Sequence, residues 1–128
     1  RDIADFPCSV AVVDKSGAVI AIHRMDGSAM MTAEIAIDKA WSAVAFKQPT
    51  ALMSRWLDPR SVGEQLGDHA FGMIGRAKGH LCVIPGGIPI TGDDGEIIGG
   101  IGCSGVPAGV AGISDTNVSQ AGWNALYD

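Results

Sequence analysis

The chain reads as an α+β domain, one antiparallel sheet with helices packed on it, because its hydrophobic period changes in a definite order. Two β-branched runs open it, helical spacing follows, period-two character returns after Lys78-Gly79, and a second helical pattern closes it. The other guiding observation is a glycine-dense third quarter, Ile84-Pro85-Gly86-Gly87-Ile88-Pro89-Ile90 and then Gly99-Gly100-Ile101-Gly102-Cys103-Ser104-Gly105. Glycine in a strand costs backbone entropy and offers nothing to pack. So many of them signal a bend, a bulge, or a ligand or second backbone too close for a Cβ.

The elements follow in order. Cys8 to Asp14 and Ala18 to Arg24 are β-branched runs joined by Lys15-Ser16-Gly17, which predicts a hairpin. From Thr32 to Lys47, Ala33, Ile37, Ala40 and Val44 recur at helical spacing, with Thr32 placed to cap and Pro49 to stop the helix. Thr50 to Leu57 reads as a short helix ending before Pro59, and Ser61-x-x-Glu64 as a capping box. The segment after it carries Gly63, Gly67, Gly72 and Gly75, which predicts a broken helix or a mobile cover. His80 to Ile84, Ile88 to Thr91 and Glu96 to Ser104 predict three strands in an antiparallel meander, with Asp93-Asp94-Gly95 as the last turn. Val106 to Gly112 is a loop. Ser114 then caps a final helix whose Val118, Ala121, Gly122, Ala125 and Leu126 share a face.

With 128 residues and 47% hydrophobic content, the chain predicts a single domain spanning 1–128. A formal charge of -5 with scattered Lys and Arg offers no basic patch, which argues against nucleic acid as a partner. Its apolar runs are strand-length, so no membrane span is expected. Cys8, Cys82 and Cys103 are odd in number, lack CxxC spacing and sit in apolar runs, which predicts a reducing, cytoplasmic setting. The chain opens at Arg1 rather than Met, which leaves room for an N-terminal segment or signal removed beforehand.

Several familiar constellations are missing. His23, His69 and His80 are far apart, no HExxH occurs, and no Cys or carboxylate cluster has zinc-ligand spacing. The run Gly100 to Gly105 closes a strand without an immediate helix, so a dinucleotide site is unsupported. Ser104 stands in no GxSxG nucleophile motif.

Lys39 is the sharper clue. One turn away lie Ile35, Ala36, Ser42 and Ala43, so its ammonium has no carboxylate on its own helix. Either it snorkels or meets an acid from elsewhere, such as Asp26, or it awaits an anionic ligand or serves as an amine catalyst. A second clue is His23-Arg24-Met25-Asp26-Gly27, which gathers polar groups where a strand leaves the sheet. There Arg24 and Asp26 read as a local ion pair or as ligand anchors. His69, in the glycine-interrupted segment, reads as an exposed residue or as a ligand to iron or cobalt.

Taken together, Val10-Ala11-Val12-Val13-Asp14-x-x-Gly17, Arg24-Met25-Asp26-Gly27, Ala36-x-x-Lys39-Ala40, Ala45-Phe46 with Pro49-Thr50, Pro85-Gly86-Gly87-Ile88-Pro89 and Ile98-Gly99-x-Ile101-Gly102-x-Ser104-Gly105 resemble the GlcG/HbpS-like family. The match runs through nearly the whole chain. The resemblance implies a profilin-like fold with a five-stranded antiparallel sheet, homo-oligomers, a kinship with domains attached to propanediol-utilisation cobalamin adenosyltransferases, and heme as a cofactor. It also implies an N-terminal helix before the first strand, of which only Arg1 to Phe6 remains here. The chain departs from the family pattern at Val106 to Ile113, which is longer and more apolar.

Two functions fit these residues. The first is a binder of heme, another tetrapyrrole or another small ligand, linked to sensing or small-molecule catabolism. In it Arg24, Asp26, Lys39, Gly86, Gly87, Gly102 and Ser104 contact the ligand, and His69 or His23 reaches the metal. The second is an isomerase, tautomerase or lyase on a small organic acid, with Lys39 as base or charge clamp and Arg24 as carboxylate anchor. A plainer reading makes Gly87, Gly99 and Gly102 simple packing devices in an oligomer subunit.

Overall fold

A computed structural model describes residues 6–53, 76–106 and 114–125. It contains strands β1 (Ser9–Asp14) and β2 (Val19–Arg24), helices α1 (Met31–Phe46) and α2 (Thr50–Met53), strands β3 (Gly87–Thr91) and β4 (Ile97–Ser104), and helix α3 (Asp115–Ala125). The strands form one antiparallel sheet in the order β2-β1-β4-β3. The α+β class is therefore as expected. The capping box at Ser61, the glycine-interrupted segment with His69, the end of the second helix, and most of the 106–113 loop lie outside the described residues. No helix among the described residues is long and apolar enough to cross a membrane.

The sheet separates two layers. Ser9, Ala11 and Val13 turn one face of β1 toward α1 and are buried. The intervening Val10 and Val12 turn the other way, packing with Ile88, Ile90, Ile101 and Trp123 of α3. This is the period-two rule of a strand covered on both faces by helices.

Helix α1 begins one residue earlier than expected, and Thr32 is not its cap: its hydroxyl donates to the Ala29 carbonyl at 2.6 Å and meets Ser9 Oγ at 2.8 Å. The helix ends before Pro49 in a Schellman motif. Lys47 adopts the left-handed conformation, its amide donates to Val44, and the Gln48 amide donates to Ala43. Ser114 caps α3 as expected, its hydroxyl accepting the Asn117 amide at 3.2 Å.

Four strands are present among the described residues where the resemblance implies five, and the missing one is explained at His80 to Ile84. That segment has a strand's alternation, with Leu81 and Val83 buried against Met53 and Phe46. Its backbone, however, pairs with a helix. Ser42 Oγ on α1 accepts the Cys82 amide at 2.8 Å and donates to the His80 carbonyl at 3.2 Å. One serine thus satisfies the backbone groups a neighbouring strand would have taken, so the expected three-strand meander is a β3-β4 hairpin with β4 crossing back beside β1.

The glycines of β3 and β4 have the same kind of cause. A Cβ on Gly102 would strike the Ala36 carbonyl and the Ala40 amide, one on Gly100 the Ala40 carbonyl, and one on Gly87 the Lys39 carbonyl. The second backbone that comes so close is α1, whose sheet-facing side is reduced to the fully buried Ala36, Ala40 and Ala43. Small residues on both partners let helix and sheet backbones nearly touch.

Candidate functional site

The close approach of α1 brings Lys39 under the sheet. Its side chain is 2% exposed, and its ammonium donates to the Cys103 carbonyl and to Asp115 Oδ2, each at 3.0 Å. Asp115, the first residue of α3, also accepts the Val106 amide at 2.9 Å and the Cys103 thiol at 3.5 Å through Oδ1. Gly86 completes this cluster. At φ +139 its bare Cα leaves room for the Lys39 ammonium, and its carbonyl accepts the Cys103 amide and the Ser119 hydroxyl. Gly87 is held by Thr50, whose Oγ1 accepts its amide at 2.8 Å. The acid that Lys39 lacks on its own helix is therefore Asp115, not Asp26.

The sequence-derived site residues fall into two groups. Lys39, Gly86, Gly87, Gly102 and Ser104 are buried together between α1 and the sheet. His23, Arg24 and Asp26 are exposed on and just after β2, an edge strand, with β1 standing between them and β4. In register, Arg24 faces Ser9, and Ser9 faces Ser104 on its other side. His69 lies outside the described residues.

A recess on the far flank of α1 was not foreseen from sequence. Trp41, Ala45 and Phe46 of the helix face Arg76, Ala77, Lys78 and His80 across a cavity of about 440 Å³, a size suited to a small organic ligand. The floor is aromatic and aliphatic and the rim carries two cations. The His80 ring lies against Trp41, with centroids 5.4 Å apart and planes tilted by 34°. Its Nδ1 is 3.4 Å from Asp38 Oδ1. That contact matches the carboxylate-histidine arrangement that orients a metal-ligating imidazole and leaves Nε2 for another partner. Burial pushes the Asp38 carboxyl above its ordinary value, with the His80 hydrogen bond and charge opposing.

His80 is held in place by Ser42 at its carbonyl and by the Ala77 carbonyl at its amide. The only sequence signal for this recess was the Ala45-Phe46 pair at the end of α1. Its rim comes from a segment thirty or more positions away, and only folding brings the two together.

Among the described residues no group of three or more His, Cys, Asp or Glu could hold a metal ion. A heme, by contrast, needs one axial ligand, an apolar floor and cations for its propionates. Trp41 and Phe46 supply apolar surface, Arg76 and Lys78 cations, and His80 an imidazole.

Comparison with known proteins places the chain in a lineage. The chain is 32% identical over 99 residues to the corrinoid adenosyltransferase PduO of Salmonella typhimurium, a match that covers 77% of this chain and 27% of that protein. The chain thus spans only about a quarter of the length of that relative. Its fold is similar to the crystal structure of Klebsiella pneumoniae protein ORFY, with a TM-score of 0.79 at 24% identity, covering 96% of this chain and 77% of that one. It is similar also to a PduOC:heme complex, with a TM-score of 0.75 at 28% identity, covering 94% of this chain and 78% of the other. The family model described as haem degrading protein HbpS-like matches residues 1–123. With that match across nearly all of its length, and the PduO kinship that its motifs imply, the chain belongs to the HbpS-like family.

Proposed function

We propose that this protein binds a planar, largely apolar ligand with anionic substituents, heme or a related tetrapyrrole, in the recess between α1 and the 76–80 segment. The observation that carries the reading is the pairing of an aromatic floor, Trp41 and Phe46, with the cations of Arg76 and Lys78 and an imidazole already oriented by Asp38. Apolar rings bury against the floor, and carboxylates pair with the rim cations. The structural likeness to a protein seen in complex with heme supports the same class.

In this site His80 Nε2 would ligate the iron, and the bound heme would supply redox or gas-binding chemistry. The chain's own part is to orient that imidazole through Asp38, to hold the 80–83 backbone through Ser42, and to neutralise the propionates. Lys39 is engaged by Asp115, which supports binding rather than amine catalysis as the function of this domain. His23 and Arg24, on the exposed edge of the sheet, form the alternative heme-contacting group. The exposed Val19, Ile20 and Ile22 on that edge support self-association.

Hemin titration followed at the Soret band tests the proposal. The wild-type protein should saturate at one equivalent. Charge reversal at both Arg76 and Lys78 should weaken binding by about tenfold or more. Unchanged affinity in the doubly reversed protein would move the propionates elsewhere, and no Soret change in the wild type would remove heme as the ligand.

A further inference from the structure

On the opposite side of the sheet from α1, three sulfurs converge where β1 begins and β4 ends. Cys8 and Cys103 are both buried, and Met25 packs against them in the same cluster with Val106. The Met25 thioether lies 3.8 Å from Cys8 Sγ and accepts the Cys8 amide at 3.5 Å. The Met25 amide in turn donates to the Cys8 carbonyl at 3.0 Å, so the thioether is fixed from both ends of its own backbone contact. Cys8 and Cys103 share one buried cluster, and the Cys103 thiol points at Asp115 Oδ1, 3.5 Å away. All three cysteines of the chain are free.

The ordinary account of such a cluster is a sulfur-rich patch of core. Two features go beyond packing. The first is spacing. Three sulfurs at the corners of a trigonal site with metal-sulfur bonds of about 2.3 Å sit about 4 Å apart, and the Cys8 to Met25 separation is already 3.8 Å. The second is a polar contact at the thiol: Asp115, itself paired with Lys39, accepts from Cys103 Sγ at 3.5 Å.

We propose that Cys8, Cys103 and Met25 form a three-coordinate site for a soft monovalent metal ion, Cu(I). Thiolate and thioether donors select that ion. Zinc would require a fourth ligand, and among the described residues no group of three or more His, Cys, Asp or Glu could hold a metal ion. Binding breaks two S–H bonds and forms three metal-sulfur contacts. Both protons leave to solvent, and Asp115 stays paired with Lys39. Copper remains Cu(I) throughout, so no oxidant is needed. Met25, half-buried beside the exposed Asp26-Gly27 turn, is the point of entry. This site does not rest on the heme reading, because it shares no residue with the recess around His80.

The test is anaerobic titration of the full chain with Cu(I) in competition with bicinchoninate, with the sulfur shell read by X-ray absorption. The wild type should take one equivalent with three sulfur neighbours. Cys8→Ser and Cys103→Ser alter the core and can unfold the chain, so Met25→Leu, which conserves volume, carries the decision. It should keep its thermal midpoint and its hemin titration, lose one sulfur from the shell, and bind Cu(I) about tenfold more weakly or worse. Cys82→Ser should leave copper binding unchanged. Failure of the wild type to compete with bicinchoninate, full affinity in Met25→Leu, or loss of binding in Cys82→Ser would each overturn the site.

Discussion

The Lys39 ammonium and the Asp115 carboxylate meet at 3.0 Å across 76 positions of sequence, joining the middle of α1 to the first turn of α3 through the sheet between them. The pair is a clasp. Asp115 also holds the Val106 amide, and Lys39 also holds the Cys103 carbonyl, so the end of β4 and both helices depend on the same two charges. Removing one partner strands the other in the interior, a change that costs about 3–5 kcal/mol. Lys39→Met and Asp115→Asn should each lower the urea midpoint accordingly. The double replacement Lys39→Met with Asp115→Leu should recover much of the loss, because it leaves no unpaired charge. Additive losses in the double variant would contradict the clasp.

The glycine of β4 nearest the helix gives a second prediction. Gly102→Ala places a methyl against the Ala36 carbonyl, and backbone cannot step aside as a side chain can. The expected loss is about 1–3 kcal/mol or more. Gly95 is the contrast: its φ is +81, but nothing lies within 4 Å of the added methyl, so Gly95→Ala carries only the backbone strain of its turn. Equal losses at the two positions, measured by denaturant midpoints, would count against close helix packing as the reason for the strand glycines.

These glycines show how far the sequence could be read. A hairpin around Lys15-Ser16-Gly17, a helix ending before Pro49, and a strand pair around Asp93-Asp94-Gly95 all follow from local turn chemistry and period, and all three are present. Local rules failed where a backbone is satisfied by something distant. His80 to Ile84 alternates like a strand, and only Ser42, about forty positions earlier, makes it something else. For Lys39 the missing acid was legible and the donor was not, because the register that brings Asp115 to it is a property of the whole sheet. The recess around Trp41 was nearly invisible for the same reason.

Ser42 should therefore matter beyond its size. In Ser42→Ala the Cys82 amide and the His80 carbonyl lose their shared partner, which costs about 1–3 kcal/mol where those groups are buried. Hydrogen exchange at the Cys82 amide should accelerate while exchange in β1 and β4 keeps its order. Hemin affinity should fall too, since His80 is released at its carbonyl. Protection of Cys82 equal to wild type would show that another group holds that backbone.

Two aspartates should give the stability profile opposite slopes. Asp14 Oδ1 accepts the Ser16 hydroxyl at 2.6 Å, the Ser16 amide at 2.8 Å and the Ala18 amide at 3.1 Å, and these bonds hold its carboxyl below the ordinary value. Its contribution is complete above the unfolded-state value and is lost as pH falls through the lower folded one. Asp38 is raised by burial, so its contribution is complete below the unfolded-state value and is lost as pH rises through the folded one. Urea midpoints across the acid range should show Asp14→Asn flattening the loss on the acid side and Asp38→Asn flattening the loss on the other. The reverse assignment would refute both causes.

The reading of this domain as a heme or tetrapyrrole binder turns on one imidazole. The most direct measurement is the visible spectrum of the ferric heme complex in the wild type, His80→Ala and His23→Ala. The account predicts that His80→Ala loses the wild-type Soret position while His23→Ala retains it. A wild-type spectrum in His80→Ala would contradict the assignment, and its loss in His23→Ala alone would return the heme to the exposed edge of the sheet.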